Sequence, residues 1–222
     1  MRRPGLNASW GGGYADLGFQ RGRHPHEARC AGYAHRRRSL PWWRPIEDGR
    51  PDGAGPSVER TTVPGMTVAL RPLGDADLDQ LFEWERDPQS VAMAAFTRAD
   101  PSDRAAFDRH HQRIRDNVDC VVRAINHNGA FVGTIGSFTM DGEREVTYWI
   151  DPSRWGQGIA TQALEAFVRI EGTRPLFARI AEHNIGSAKV VTRVGFAHMS
   201  SETSYADGVR REVVEHIFCL TA

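Results

Sequence analysis

The segment Arg154-Trp155-Gly156-Gln157-Gly158-Ile159-Ala160 decides how the rest of the chain is interpreted. It lies between a predicted strand and a predicted helix. Two glycines let a backbone approach a ligand closely, and unpaired N–H groups at the start of a helix favour phosphate oxygens. The segment therefore predicts a pyrophosphate site. A tight turn that needs glycine only for its backbone geometry stays open as the alternative.

Two other phosphate-binding motifs do not fit this loop. A Rossmann fingerprint would place Thr161 at its third small position and would open a βαβ unit, whereas this loop follows a hairpin meander. A P-loop needs a Lys followed by Ser or Thr, and the single Lys of the chain, Lys189, lies far downstream.

Outward from the loop, apolar spacing and turn residues predict a mixed α/β domain of the α+β type, in the order βααβββαβαββ. The predicted strands are Thr67–Leu73, Cys120–Asn126, Ala130–Phe138, Glu143–Ile150, Leu176–Ala181, Ala197–Ser204 and Val209–Cys219. The predicted helices run from Asp75 to Asp87, from Asp100 to Asp116, from Ala160 to Val168 and from Ile185 to Val194.

Turn and cap residues set the predicted boundaries. Asp87-Pro88 ends the first helix, which leaves Val91–Arg98 as a loop. Asp100 is predicted to cap the second helix, with Pro101 at its first position. Asn128-Gly129 and the similar Asp141-Gly142 are hairpin turn signals.

Charge divides the chain at residue 65. The 222 residues have a formal net charge of zero. Residues 1–65 contain eleven basic and six acidic residues, a net +5, whereas residues 66–222 contain seventeen and twenty-two, a net −5. The acidic domain argues against a specific nucleic-acid partner and suits a cationic acceptor.

Residues 1–65 are predicted to be a disordered extension, because eleven Gly and seven Pro stand beside only eight Ile, Leu, Val, Met and Phe. A mis-set start, with Met66 as the true first residue, is a second interpretation. A third is a basic arm carrying Arg36–Arg38 and Trp42-Trp43. Composition favours the first two.

Neither a membrane span nor a metal site is predicted. No run of 18 apolar residues occurs. Cys30, Cys120 and Cys219 have no paired spacing, which favours a reducing cytoplasm. His110-His111 point about 100° apart on a helix and make a poor chelate.

Three segments together resemble the GNAT superfamily of N-acetyltransferases. They are Glu145–Pro152, Arg154–Leu164 and Asn184–Phe196. The motifs Tyr-Trp-Ile-Asp-Pro and Trp-Gly-Gln-Gly-Ile-Ala most resemble those of the subgroup of ribosomal-protein N-terminal acetyltransferases. The resemblance implies one domain over residues 66–222, with a twisted, mostly antiparallel sheet that splays between its fourth and fifth strands.

The same resemblance implies that acetyl-CoA is the co-substrate, with no metal. The backbones of Trp149 and Ile150 would pair with the pantetheine arm. Asn184 and Ser187 would contact the cofactor from the last helix. The pyrophosphate would bind N–H groups of the loop and helix start, namely Trp155, Gly156, Gln157, Gly158, Ile159, Ala160 and Thr161. Trp155 stands where the superfamily most often has Gln or Arg.

The catalytic residues implied are Glu145, Ser187 and Asn184. Glu145 alternates with Thr147 and Trp149 on one strand face and would be the general base. Two alternatives stay open, Glu202 as the base and Glu145 as an exposed partner of an Arg across the hairpin.

Val191 occupies the position at which many superfamily members have a catalytic Tyr. Because Val cannot donate a proton, Ser187 is the implied partner of the thiolate. Asn184 is also suited to cap the helix, and Tyr148 and Tyr205 are spare donors.

The sequence therefore predicts an acetyl-CoA-dependent N-acetyltransferase acting on a primary amine, either a protein or peptide N-terminus or a small molecule. An acyl-CoA-binding module that has lost catalysis is the alternative. Monomer and homodimer both stay open.

Overall fold

Seven strands build one sheet in the computed structural model, which describes residues 68–222. The strands are β1 (Val68–Pro72), β2 (Val121–His127), β3 (Ala130–Met140), β4 (Glu143–Ile150), β5 (Leu176–Ala181), β6 (Ala197–Ala206) and β7 (Arg211–Leu220). The helices are α1 (Asp75–Arg86), α2 (Pro88–Ala94), α3 (Arg104–Asp116), α4 (Ile159–Phe167) and α5 (Ile185–Val194), with one 3-10 turn at Pro152–Arg154. The predictions for residues 1–65, and for Met66 as a start, lie outside the described residues.

The sheet has the order β1-β2-β3-β4-β5-β7-β6 and confirms the predicted fold class. Every neighbouring pair is antiparallel except β4 and β5, which are parallel. These two strands pair at only two positions, Arg144 with Leu176 and Glu145 with Phe177. Beyond Glu145 they separate, so the predicted splay between the fourth and fifth strands is confirmed.

Both predicted two-residue turns form. Asn128 and Gly129 have φ of 52° and 82°, and Asp141 and Gly142 have φ of 50° and 83°. Positive φ at both central residues defines the turn whose twist matches a hairpin. These turns bring β2, β3 and β4 into one meander.

The sheet carries helices on both faces. On one face α4 and α5 cover a cluster that contains Ile135, Val146, Ile150, Leu164 and Phe167. On the other face α1 and α3 cover a smaller cluster of Leu78, Leu81, Phe82, Trp84, Phe107 and Trp149. Consecutive residues of β4 therefore contribute to different cores, because side chains alternate along a strand.

The boundaries of two helices differ from the prediction. Asp87-Pro88 ends α1 but also begins α2, because Asp87 accepts the Ser90 N–H at 2.9 Å and Pro suits a first helical position. Part of the predicted loop Val91–Arg98 is therefore helical. The predicted cap Asp100 was also wrong.

Asp100 instead forms a local turn, in which its carboxylate accepts the N–H and the O–H of Ser102. Asp103 is the residue that caps α3, and it accepts the Ala106 N–H at 2.8 Å. Two aspartates three residues apart are both good caps, and the sequence alone does not separate them.

A buried ion pair fixes the segment that follows α2. Arg98 donates to Glu85 of α1 at 2.7 Å, and the two side chains are 9% and 3% exposed. Arg98 also donates to the Pro101 carbonyl oxygen at 3.3 Å. The position of α2 is thereby set from α1 and from the start of α3.

We expect Gly208→Ala to destabilise the fold by about 1–3 kcal/mol, the usual cost of overpacking. A Cβ at Gly208 would overlap Thr97 Oγ1 and would lie 2.7 Å from the Ala95 carbonyl oxygen. Urea unfolding checks the loss. Gly172→Ala is the matched control, because no atom lies within 4 Å of its added Cβ. Equal stability of the two variants would contradict the close approach.

Among residues 68–222, the longest helix has 13 residues, and none is long and apolar enough to cross a membrane.

Candidate functional site

A cavity of about 480 Å³ opens where β4 and β5 separate. This volume is within the range of small-molecule sites. Four segments build its walls. The end of β4 contributes Tyr148–Ile150, and the glycine loop with the start of α4 contributes Arg154–Gly156 and Gly158–Thr161. The segment before α5 and α5 itself contribute His183–Ser187, Lys189, Val190 and Arg193, and α2 contributes Ser90, Met93 and Ala94.

The glycine loop leaves the start of α4 without a side-chain cap. Gly156 and Gly158 have φ of 76° and 77°, values that a residue with a Cβ rarely adopts. Gly158 is the N-cap, and the Gln162 N–H is the first to bond within the helix, to the Gly158 carbonyl oxygen. The first-turn N–H groups of residues 159–161 precede that bond, so the helix start is suited to an anion.

Most of the predicted phosphate-binding residues line the cavity, namely Trp155, Gly156, Gly158, Ile159, Ala160 and Thr161. Gln157 does not. Its side chain is exposed and donates to the Ser153 carbonyl oxygen at 3.5 Å.

Trp155 contributes differently from the prediction. Its backbone N–H bonds the Pro152 carbonyl oxygen at 3.3 Å, and its indole N–H donates to the Ile150 carbonyl oxygen at 2.9 Å. The indole therefore connects the glycine loop to the end of β4.

The β3–β4 ladder decides which backbone groups of β4 face the gap. The Asp151 N–H donates to the Val132 carbonyl oxygen, and Trp149 lies opposite Thr134. Because hydrogen-bonded pairs alternate along an antiparallel ladder, the N–H and C=O of Trp149 face β3. Those of Tyr148 and Ile150 face the gap. The backbone groups of Ile150 therefore face the gap as predicted, whereas those of Trp149 do not.

The start of α5 supplies polar side chains to the cavity. Asn184 caps the helix by accepting the Ser187 N–H at 3.0 Å, and both residues line the cavity. The Tyr148 hydroxyl donates to the Ser187 carbonyl oxygen at 3.4 Å, and burial raises the Tyr148 pKa above its usual range. Val191, at the usual Tyr position, is fully buried in the core. Tyr205 is 37% exposed and is not among the lining residues.

Three cationic side chains line the cavity, Arg154, Lys189 and Arg193. None of the three is predicted from the sequence as a site residue, although Ile185, Lys189 and Arg193 follow at four-residue intervals and therefore share one helix face. Together with the uncapped helix start, they make this end of the cavity favourable for phosphate groups.

Ser90 and His183 were also missed. Ser90 is 2% exposed and its hydroxyl has no hydrogen-bond partner among the described residues. His183 bonds the Ala92 carbonyl oxygen at 2.8 Å through its ring Nε2. This bond joins α2 to the segment after β5, across the gap from β4.

Glu145 belongs to a buried cluster of carboxylates around one arginine. Arg179 of β5 donates to Glu145 at 2.9 Å. It also lies 3.2 Å from Glu143, 3.4 Å from Glu215 and 3.7 Å from Glu202. Glu145 is 4% exposed, so the alternative of an exposed residue paired across the hairpin is wrong. Its arginine partner is on β5 and not on β3.

Burial sets the protonation of two of these carboxyls. It raises the pKa of Glu145 to about 7, although the Arg179 charge and its hydrogen bond act in the opposite direction. Burial raises the pKa of Glu215 on β7 to about 7 as well. One Glu215 oxygen, Oε1, is buried without a partner among the described residues.

Glu145 is the last β4 residue that pairs with β5, so it lies where the gap begins. Thr147 and Trp149 follow it on the same strand face. Trp149 lines the cavity, but Glu145 and the rival base Glu202 do not. Within residues 68–222 no group of three or more His, Cys, Asp or Glu side chains is arranged to hold a metal ion.

The family model described as Acetyltransferase (GNAT) domain matches residues 67–197. The chain belongs to the GNAT acetyltransferase family. The family predicted from the sequence is thus confirmed, and with it the prediction of an acyltransferase. No curated protein sequence matches the chain.

Solved GNAT structures share this fold at low sequence identity. One is the aminoglycoside acetyltransferase AAC(6′)-Ib with ribostamycin and coenzyme A, 18% identical over 68% of this chain and 92% of that chain, TM-score 0.56. A second is RimL, a ribosomal L7/L12 alpha-N-protein acetyltransferase with coenzyme A. It is 16% identical over 71% of this chain and 95% of that chain, with a TM-score of 0.58. A third is the microcin C7 self-immunity acetyltransferase MccE with acetyl-CoA and AMP. It is 14% identical over 70% of this chain and 92% of that chain, with a TM-score of 0.58. The ribosomal-protein subgroup stays a prediction for this chain.

Proposed function

We propose that the protein is an acetyl-CoA-dependent N-acetyltransferase that transfers an acetyl group to a primary amine. The observation that carries the proposal is the cavity at the β4–β5 gap. It has an uncapped helix start at one end, and the strand that forms its wall, β4, carries a buried carboxylate with a raised pKa, Glu145. The solved relatives named above contain coenzyme A or acetyl-CoA.

The residues present fit acetyl-CoA. The N–H groups at residues 159–161 and the cations Arg154, Lys189 and Arg193 would hold its phosphates. The backbones of Tyr148 and Ile150 would pair with the pantetheine arm along the edge of β4. The mostly apolar wall formed by Ile159, Val190 and Trp155 would cover the arm.

When bound, acetyl-CoA supplies an acetyl thioester that a neutral amine attacks directly. Glu145 would accept the proton that the amine must lose, since a base with a pKa near the working pH is the most effective. The Ile150 N–H faces the gap and would donate to the thioester carbonyl oxygen, where negative charge develops. Ser187 and Tyr148 supply hydroxyl donors for the departing thiolate.

The acceptor would enter between β4 and α2. Ser90, Met93 and Ala94 form this wall, and the net charge of −5 on residues 66–222 favours the approach of an ammonium group. Both classes of acceptor predicted from the sequence fit this wall, a protein or peptide N-terminus and a small-molecule amine. We also propose a cytoplasmic location, where acetyl-CoA is produced and used.

Coenzyme A release from acetyl-CoA over a panel of peptide and small-molecule amines tests the proposal. We expect turnover with at least one amine, together with saturable binding of acetyl-CoA by calorimetry. Tight binding without turnover on any amine would favour the alternative of an inactive acyl-CoA-binding module. Absence of acetyl-CoA binding would overturn both.

We expect Arg193→Gln to weaken acetyl-CoA binding about two- to fivefold at low ionic strength, as for an exposed charge pair. The loss of affinity should disappear near 1 M salt, because the Debye length there is only about 3 Å and the charges are screened from each other. Calorimetric titration at both salt concentrations measures it. Arg169→Gln is the control, since Arg169 is exposed and does not line the cavity. Equal affinities of the two variants at low salt would contradict the phosphate contact.

A further inference from the structure

A buried hydroxyl lies between the proposed base and the cavity. Thr147 is on β4, two residues from Glu145 and two residues from Trp149, so the three side chains share one face of the strand. Its side chain is 1% exposed, and its Oγ1 has no hydrogen-bond partner among the described residues. A buried hydroxyl without a partner is costly, so it requires an explanation.

The surroundings of Thr147 do not provide a structural role for the hydroxyl. The residue directly opposite on β3 is Gly136, which has no side chain to bond it. Beyond Glu145 the strand no longer pairs with β5, so no β5 residue lies beside Thr147 in the ladder. Valine has the same shape and fits a buried strand without the cost of the polar group.

The next side chain toward the cavity has the same property. The Trp149 indole N–H is buried and has no hydrogen-bond partner among the described residues, while Trp149 itself lines the cavity. Residues two apart on a strand are separated by about 6.6 Å. This backbone spacing exceeds the reach of a direct hydrogen bond, so a water between the two side chains is the group that would satisfy both polar atoms.

The proposed base requires such a connection, because Glu145 is 4% exposed and does not line the cavity. An amine in the cavity is therefore separated from the carboxylate that should take its proton. Of the strand positions between them, Thr147 is the one on the shared face.

We propose that Thr147 relays the acceptor's proton from the cavity to Glu145. This inference rests on the proposed function. The amine N–H bond breaks as the water takes the proton and passes one of its own to Thr147 Oγ1. Thr147 in turn releases its hydroxyl proton to a second water, which passes one of its own to a Glu145 oxygen, because Thr147 Oγ1 does not bond Glu145 directly. Each oxygen gains one O–H bond and loses one, except that of Glu145, so the net change is one proton moved from nitrogen to carboxylate.

The carboxylate that receives the proton is surrounded by charges from four strands. Glu143 lies on its own strand, Arg179 on β5, Glu202 on β6 and Glu215 on β7. The charge of Asp141, in the turn before β4, also acts on it. None of these groups is on the path through Thr147, so a Thr147 variant leaves the cluster's charges in place.

The test is Thr147→Val in the full chain, assayed by coenzyme A release with the best amine of the panel. We expect kcat/KM to fall about 10²-fold, the lower end of what proton transfer contributes, with unchanged acetyl-CoA affinity. Thr147→Ser keeps the hydroxyl and should recover most of the activity. In Thr147→Val the pH dependence near 7 should flatten as it does in Glu145→Gln. The double variant should be no slower than Glu145→Gln alone, since the two residues act in one path.

Thr134→Val is the matched control. Thr134 is on β3, is also 1% exposed, and its Oγ1 likewise has no partner among the described residues, but it lies opposite Trp149 and not beside Glu145. Both valine variants should be at least as stable as the wild type, because each removes an unsatisfied buried hydroxyl. Only Thr147→Val should lose activity.

Wild-type activity in Thr147→Val, or equal losses in Thr147→Val and Thr134→Val, would overturn the relay and leave the proposed function standing. A Thr147→Ser variant as slow as Thr147→Val would also overturn it. No turnover in the wild type, or full turnover in Glu145→Gln, would overturn the proposed function or its base, and the relay with it.

Discussion

Glu145→Gln should lower kcat/KM for amine acetylation by about 10²–10⁴-fold, the contribution of a positioned general base. Glutamine keeps the shape and a hydrogen-bond acceptor for Arg179 but cannot take a proton. Acetyl-CoA affinity should not change, because the phosphate-binding groups lie at the other end of the cavity. Steady-state coenzyme A release together with calorimetry separates the two effects.

The pH dependence of kcat/KM tests whether Glu145 acts as the general base. A base works in its deprotonated form, so wild-type kcat/KM should rise as pH increases through about 7, where the Glu145 and Glu215 pair titrates. Glu145→Gln should remove that rise. Glu143→Gln is the matched control, since Glu143 also contacts Arg179, at 3.2 Å, but lies farther from the cavity. A Glu145→Gln variant with wild-type rate and pH profile would show that another group is the base.

Arg179→Met should destabilise the fold by about 3–5 kcal/mol at pH 8, the cost of leaving a buried charge without its partner. Arg179 is the cation within reach of four carboxylates, and its side chain is 11% exposed. Without it, Glu145 and Glu215 would remain in a low-dielectric environment with only negative neighbours. Urea unfolding at pH 6 and pH 8 measures the loss.

The loss should be smaller at pH 6 than at pH 8. The pKa of both carboxyls is already raised to about 7 in the wild type, and removal of the guanidinium raises it further. A raised carboxyl pKa in the folded state means that the native protein binds protons that the unfolded chain has released. Stability therefore falls as pH rises from the unfolded value, about 4.3, through the folded one.

The double variant Glu145→Gln/Arg179→Met is the control for this charge effect. It should regain part of the stability at pH 8, because one unpaired buried carboxylate is gone. Wild-type stability of Arg179→Met at pH 8, or an equal loss at both pH values, would contradict the role assigned to the guanidinium.

The fold and one end of the site could be predicted from the sequence because local rules determine them. Asn128-Gly129 and Asp141-Gly142 specify their turns through positive φ, and Gly156 and Gly158 specify the loop before α4 in the same way. Asn184 specifies the start of α5 as a cap. Each of these residues acts on backbone within a few positions of itself.

The orientation of the β4 backbone was predictable but was assigned incorrectly. A two-residue turn at Asp141-Gly142 makes Met140 and Glu143 a hydrogen-bonded pair. Alternation then turns the N–H and C=O of every second residue up to Trp149 toward β3. The backbone groups of β4 that face the gap are therefore those of Tyr148 and Ile150.

The carboxylate cluster could not be predicted, because its members come from four strands. Arg179 and Glu215 meet Glu145 only after β5 is placed between β4 and β7. Nothing in the spacing of these residues along the chain indicates that Glu145 would be buried. The short helix α2 was missed for a different reason, since Asp-Pro both ends one helix and begins the next.

The two-pair junction between β4 and β5 has a consequence for the order of folding. The meander β2–β3–β4 and the hairpin β6–β7 each form from segments that are close in the chain, which favours their early formation. The junction instead requires residues 151–175 to be ordered first, so it closes a long loop. We therefore expect the carboxylate environment that raises the Glu145 pKa to form late in folding.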